Sequence, residues 1–382
     1  MWLNILLVTT ILLFIPYAII ILLYRKWFLQ LKPFTIANNY SPSTKFSIII
    51  PARNEEENIE KCLQSIIQQN YPSALFEVIV IDDHSTDNTS FIVEDIKKKY
   101  TNIKLLKLSD LLNGKQLNAY KKKAIEIAIE ISSGEWIITT DADCIMLQDW
   151  LKNYDAFIQQ NNAVFIAAPV AFTYTKTILS IFQYLDFLTL QGITAAAVSA
   201  GFHSMCNGAN LAYKKTVFFE VNGFAGIDNI ASGDDMLLMN KIKKKYPTQI
   251  GFLFSKDAIV STAPMPTWGS FINQRIRWAS KADRYKDKNI LGVLLLVYFF
   301  NLLLLVILCL SLIKPVLIIY WLIVIAVKAL VELPFIIPVE AFFGETFVVS
   351  FILLQPFHIA YTVIAGWLGK FGTYQWKNRK VK

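Results

Sequence analysis

A chain of 382 residues is long enough for one large domain plus a membrane portion, and 54% hydrophobic against 17% charged residues excludes an ordinary soluble enzyme. The formal net charge of +8 suits anionic lipid headgroups or a phosphorylated substrate. No long basic tract interleaved with aromatics lies outside the membrane-proximal part, which argues against nucleic acid as a partner.

Cys62, Cys144, Cys206 and Cys309 lack metal or redox spacing and read as free thiols of a reducing compartment, pointing to a cytosolic catalytic face. Residues 5–24 are almost wholly apolar and precede Arg25, Lys26 and Lys32, about the length that spans a bilayer. No basic n-region or small-residue cleavage site is present, so 1–30 reads as an anchor rather than a signal peptide. Its basic flank keeps the next domain cytoplasmic and the N-terminus outside.

Residues 45–51 read as a strand, and 57–69 as an amphipathic helix reached through Asn54-Glu55-Glu56-Glu57-Asn58, whose acids suit the positive end of the dipole. A second buried strand, 76–81, closes in Asp82-Asp83-His84-Ser85-Thr86-Asp87. Acids and hydroxyls at a strand end suit a base N–H or a ribose hydroxyl, and an ordinary turn with Asp87 as helix cap suits the pattern too. His84 reads as a turn residue. A helix over 91–100, a strand near 103–108 and a helix running to 131 follow. Lys121-Lys122-Lys123 heads that helix as a solvated charge run, two of its lysines being surface charge and one able to reach a diphosphate.

The strand at 137–140 follows the Ser132-Ser133-Gly134 break and ends in Asp141 and Asp143. Ligands of open α/β sheets gather beyond such strand ends. Two hard carboxylates there suit Mn²⁺ or Mg²⁺ shared with a diphosphate, and a solvated turn with Asp143 capping a helix is the plainer alternative. With a further strand at 164–169, the alternation predicts an α/β fold with a mostly parallel sheet covered by helices on both faces. Residues 178–202 are apolar but broken by Gln183, Asp186 and Gln191, as in a helix at the base of the domain or against lipid. Asn207-Gly208-Ala209-Asn210 leads into a short strand. Ser232-Gly233-Asp234-Asp235 precedes an apolar helix; a carboxylate there is usually a cap, and beside a metal pair it suits a general base.

Residues 264–285 hold Trp268, Gln274, Arg275, Arg277, Trp278, Lys281 and Arg284, a mixture suited to the headgroup layer or to a diphosphate. Three apolar segments follow, 290–313, 316–339 and 347–368. Three crossings would place Lys377, Arg379, Lys380 and Lys382 outside, against the positive-inside tendency. The middle segment carries Lys328 and Glu332 four apart with Pro334 and Pro338, and reads as a broken or re-entrant element.

Strand and helix start, D-D-x-S, D-x-D, D-D and Gln274-x-x-Arg277-Trp278 together resemble the membrane-bound family 2 glycosyltransferases over 46–285, the group of ceramide glucosyltransferases, hyaluronan synthases and cellulose synthases. The last motif is the most specific. The resemblance implies a GT-A domain at 40–262, an interfacial segment at 263–288, a hydrophobic transmembrane region at 289–370 and a basic tail at 371–382. It implies that Pro51, Asn54, Glu55, Asp82 and Asp83 line the nucleotide, with Lys121 and Asp234 also on the donor. Asp141 and Asp143 would hold the metal and diphosphate, Asp235 would be the base, and Gln274, Arg277 and Trp278 would close the site. The family's Lys-x-x-Ala-Leu-Asn-x-Gly stretch matches at Lys121 and Ala124 and departs at Ile125, Glu126 and Ala128; the acidic pair is Asp234-Asp235 rather than Glu-Asp.

The implied activity is inverting sugar transfer from a nucleotide-diphosphate sugar, UDP-linked, to a membrane lipid, lipid-linked or glycan acceptor at the cytoplasmic face of the inner membrane. A processive polysaccharide synthase and a non-catalytic nucleotide-binding scaffold are the alternatives. No G-x-G-x-x-G follows the first strand, which argues against a dinucleotide oxidoreductase.

Overall fold

Short β-branched and aromatic runs, buried on both faces in the central strands and partly exposed at the edges, build a seven-stranded sheet: β1 (Phe46–Ala52), β2 (Phe76–Asp82), β3 (Ile103–Lys107), β4 (Trp136–Thr139), β5 (Phe165–Ala167), β6 (Leu211–Lys214) and β7 (Ile250–Phe252). The computed structural model describes residues 2–112, 117–230, 232–285, 287–376 and 379–381, so Lys377 and Lys382 of the basic tail lie outside the described residues. The chain divides into two units, one of 32–171 with 204–263 and one of 1–31, 172–203 and 264–382.

In the first unit the strand order is β3-β2-β1-β4-β6-β5-β7. All neighbours are parallel except β6, which runs antiparallel to β4 and β5. The mostly parallel α/β expectation is met. Registers Ala52↔Asp82 and Ile49↔Thr139 bring the carboxyl ends of β2, β1 and β4 to one edge, where β6 begins opposite Thr139. The Ser-Ser-Gly break fixes the start of β4. Gly134 donates its N–H to Ser47 Oγ at 2.8 Å, and a Cβ on Gly134 would lie 2.5 Å from the Ser47 nitrogen, so only glycine fits. Glu77 gathers Ser47, Ser133 and Lys104 nearby. Burial works against its charge, but these donors prevail and hold its carboxyl down at about 2. A second sheet of three strands sets Val260–Thr262 between Ile145–Met146 and Val170–Phe172, pairing Val260 with Met146 and Ser261 with Ile145 and carrying Thr262 toward the segment after β4.

The second unit is helical. Among the described residues, four helices are long and apolar enough to cross a membrane: Asn4–Leu29, Ile178–Ser199, Lys288–Ser311 and Val316–Phe343. The last was expected to be broken or re-entrant, yet it is one continuous helix with Pro334 and Pro338 inside it, ending at Gly344 with φ +93°. Lys328 Nζ bonds Glu332 Oε1 at 2.7 Å and Gln355 Oε1 at 2.6 Å; Gln355 returns a bond to Glu332 at 2.7 Å, and Tyr17 donates to the same carboxylate. Satisfied polar groups of this kind let a helix continue through prolines. The break falls instead in the third apolar segment, which forms two shorter helices, Val348–Leu353 and Gln355–Phe371, parted where Gln355 turns inward ahead of Pro356.

Helix Trp268–Ala279 starts at a capping box between Thr267 and Ser270, at 3.1 Å each way. It packs on Gln355–Phe371 through Ile276 and Ala365, and a Cβ on Gly369 would meet Ala279 at 2.7 Å. Arg275 was grouped with the headgroup-facing arginines. It is buried instead, bonded to Asp186 at 2.9 and 2.7 Å and stacked on Trp278 with its guanidinium 4.2 Å from the ring centre. The polar residues that interrupt 178–199 thus serve packing: Asp186 takes Arg275 and Tyr361, and Gln183 exchanges two 2.9 Å bonds with the backbone of Met265.

Candidate active site

The sheet edge where β1, β2 and β4 end collects most of the residues singled out from sequence. After β1, Asn54 adopts φ +51°, accepts from Thr86 N at 2.8 Å and donates its N–H to Ser85 Oγ at 3.0 Å. Glu55 donates its N–H to Thr89 Oγ1 at 2.8 Å. These bonds lock the turn after β1 onto the turn after β2, beside Pro51. Asp82 is consumed locally by Ser85 N at 2.9 Å and by Ser90. Asp83, 3% exposed, lies 3.8 Å from the Arg53 guanidinium and 2.9 Å from His84 Nδ1. His84, at φ +57°, is the expected turn residue. Asp87 accepts from Thr89 N at 3.0 Å at the head of the next helix.

After β4 the acids are less well matched. Asp141 Oδ1 takes Lys121 Nζ at 2.7 Å, and the same ammonium lies 3.3 Å from Asp234 Oδ2. Burial works against the Lys121 charge, but Asp141 and Asp234 outweigh it and hold the ammonium well above its ordinary pKa. Asp143 accepts from Thr262 Oγ1 at 3.1 Å. Burial, then the charges of Asp141 and Glu55, pushes its carboxyl above the usual range. Cys62, whose Sγ lies 3.7 Å from the Asp141 carbonyl, is pushed up by burial and by Asp143 and Asp141, which keeps it a thiol.

Asp235 caps helix Met236–Lys245 through Met236 N at 2.7 Å, and its other oxygen accepts from Gly208 N at 3.1 Å. Gly208 comes this close because it has no Cβ; one would lie 3.3 Å from Asp234 Oδ2. Each carboxylate oxygen keeps a second acceptor direction, so the cap leaves room for a proton.

The lysine run departs from expectation. Only Lys123, paired with Glu126 at 2.7 Å, is ordinary surface charge. Lys122 is 2% exposed and meets the carbonyls of Ile227, Ile230 and Ser232 at 2.8, 2.6 and 2.8 Å. Sequence reasoning missed Lys122 and Thr262; the first is hidden in a charge run, and the second carries no signal at all. Gln274, Arg277 and Trp278 lie on Trp268–Ala279 in the helical unit.

A divalent cation suits this donor set. Asp141, Asp143 and Glu55 bring three carboxylates together against the one ammonium of Lys121. Two carboxylates are too few to enclose an ion, and no group of three such ligands occurs among the described residues. Remaining oxygens would come from a bound diphosphate or water.

Two family models match: "Glycosyl transferase family 2" over residues 47–218 and "Glycosyl transferase family group 2" over 136–343. The glycosyltransferase AglE of Haloferax volcanii is 27% identical over 231 residues, 60% of this chain and 70% of the relative. A beta-monoglucosyldiacylglycerol synthase of Nostoc is 34% identical over 114 residues, 30% of this chain and 23% of the relative, so the match spans less than a quarter of that protein. The structure of a mannosyltransferase from Pyrobaculum calidifontis, solved with GDP-Man and Mn²⁺, aligns with a TM-score of 0.58 over 96% of this chain and 97% of that one, at 18% identity. At that identity the likeness concerns the fold.

Proposed function

The chain belongs to the family 2 glycosyl transferases, and from that premise we propose that it moves a sugar from a nucleotide-diphosphate sugar, UDP-linked, to a membrane lipid or lipid-linked acceptor at the cytoplasmic face, with inversion. The observation that carries this reading is the Lys121 ammonium bridging Asp141 at the end of β4 to Asp234 beside the candidate base. One ammonium joins the donor carboxylates to the acceptor side, where a diphosphate needs neutralising.

Asn54, Glu55 and Asp83, on turns locked together, receive the base and ribose. Asp141 and Asp143 would hold Mn²⁺ or Mg²⁺, which when bound offsets the charge of the leaving diphosphate. Lys121 adds a second positive charge to the same oxygens. Asp235, held by Gly208 and Met236, takes the acceptor proton as the hydroxyl attacks the sugar from the face opposite the diphosphate. The closing roles of Gln274, Arg277 and Trp278 rest on the resemblance; Trp278→Ala should damage acceptor use more than donor binding.

Connectivity supports one membrane placement for this reading. β4 and β6 pair in one sheet, so 178–199 between them cannot be a single crossing. Helices 4–29, 288–311 and 316–343 remain, an arrangement that returns the chain after 343 to the side of the sheet unit. Of the two short helices that follow, Gln355–Phe371 reaches Lys328 and Glu332 partway along 316–343 through Gln355 and so dips in without crossing; the basic tail then stays cytoplasmic, in line with the positive-inside tendency. A lipid relative, the Nostoc synthase, favours a lipid acceptor. The test is to supply purified protein in lipid with labelled nucleotide sugars: label should enter the organic phase as a product carrying one sugar or a few. A long polymer would replace the lipid-acceptor reading with the synthase, and no turnover with any donor would favour the scaffold.

A further inference from the structure

We propose that Lys122 is a positioning residue for the acidic pair, its buried ammonium organising the chain that delivers Asp234 and Asp235. Its carbonyl partners belong to Ile227, Ile230 and Ser232, in a stretch without strand or long helix. That stretch is punctuated by positive-φ Asn222, Gly223, Gly226 and Gly233, a composition that leaves an unbraced backbone many alternatives. Three carbonyl oxygens aimed at one point repel one another, and an ammonium with three donors is the group that holds them there. A packing role alone would be filled by an apolar side chain at less cost, because a buried charge gives up its hydration.

The lysine sits one residue from Lys121 on helix Tyr120–Ile131. The head of one helix therefore grips Asp141 and Asp234 directly through Lys121, and the approach to Asp234 and Asp235 through Lys122. A donor-side contact and the placement of the base are thereby set by the same rigid element.

This inference rests on the reading of Asp235 as base, and the experiment separates the two. In the full-length protein in lipid, Lys122→Met keeps the stem and removes the charge, whereas Lys122→Arg keeps the charge in a flat fork. Amide exchange is read over 224–230 and 232–235, together with donor affinity, kcat and KM. For Lys122→Met the expected result is faster exchange there, kcat lower by about 10- to 100-fold, the range a misplaced catalytic group produces, and donor affinity within about threefold of the parent. Lys122→Arg should fall between the two, and decides the matter if the methionine variant does not fold. Unchanged exchange, faster exchange with unchanged kcat, or equal loss of kcat and donor affinity would each overturn the positioning role. Full transfer by Asp235→Asn would instead overturn the base assignment, leaving the exchange result to judge Lys122.

Discussion

Two acidic pairs end β2 and β4, the strands on either side of β1 in one sheet, and their surroundings differ. Asp82 and Asp83 after β2 are buried among Ser85, Ser90, Arg53 and His84. Asp141 and Asp143 after β4 share one lysine, one threonine hydroxyl and the Cys144 thiol, and burial first, then the charges of Asp141 and Glu55, push the Asp143 carboxyl above its usual range. An acid matched by its own fold maintains the fold. An acid left in excess charge is costly to fold and becomes matched when a cation arrives.

Removing the excess charge should produce the largest effect. Chelation should abolish transfer and Mn²⁺ or Mg²⁺ restore it, and Asp143→Asn should lower kcat by roughly 10³-fold while its melting temperature stays level or rises, because like-charge repulsion is relieved. Full activity after exhaustive chelation, or a clear loss of stability in Asp143→Asn, would make the two pairs alike. Asp83→Asn should behave in the opposite sense, costing about 1–3 kcal/mol of stability by leaving the Arg53 and His84 side poorly matched, with donor KM raised by roughly tenfold. Denaturant melts and donor titrations of the two variants side by side measure the contrast. The smallest effect concerns the matched acid farthest from the chemistry. Glu77, with a folded pKa of about 2 against an ordinary 4.5, contributes stability that is full above the ordinary value and is lost as pH falls from there toward 2. Melting temperatures taken from pH 6 down to 3 should decline in the native protein and decline less in Glu77→Gln.

Strands and their acidic ends were legible because a buried parallel strand is a short apolar run, and a polar residue straight after it must lie at the sheet edge. D-x-D and Gln274-x-x-Arg277-Trp278 carried the family for the same reason, being local in sequence. What escaped was decided over long separations. Lys122 looks like Lys123 until a segment 105 to 110 residues later covers it. Asp155 gathers Tyr40, Ser43 and Thr44 from more than 110 residues earlier, with nothing in either stretch to announce it. The continuity of 316–343 depended on Gln355, which lies beyond the helix it satisfies. Arg275 shares a motif with residues assigned to chemistry, and only Asp186 reveals that it serves packing.

The bond between Tyr17 and Glu332 sets an order of manufacture. Its partners stand 315 residues apart, at opposite ends of a unit assembled from three separate stretches of chain. At ribosomal speeds of about 5–20 residues per second, the first helix waits on the order of 15 to 60 s before its carboxylate partner exists. Before that interval ends the sheet unit can complete itself, since its last strand, Val260–Thr262, is made about 70 residues ahead of Glu332. The sheet unit is thus fully synthesised while the helical unit still lacks its last stretch, 264–382, and with it both the helix of Gln274, Arg277 and Trp278 and the Glu332 carboxylate.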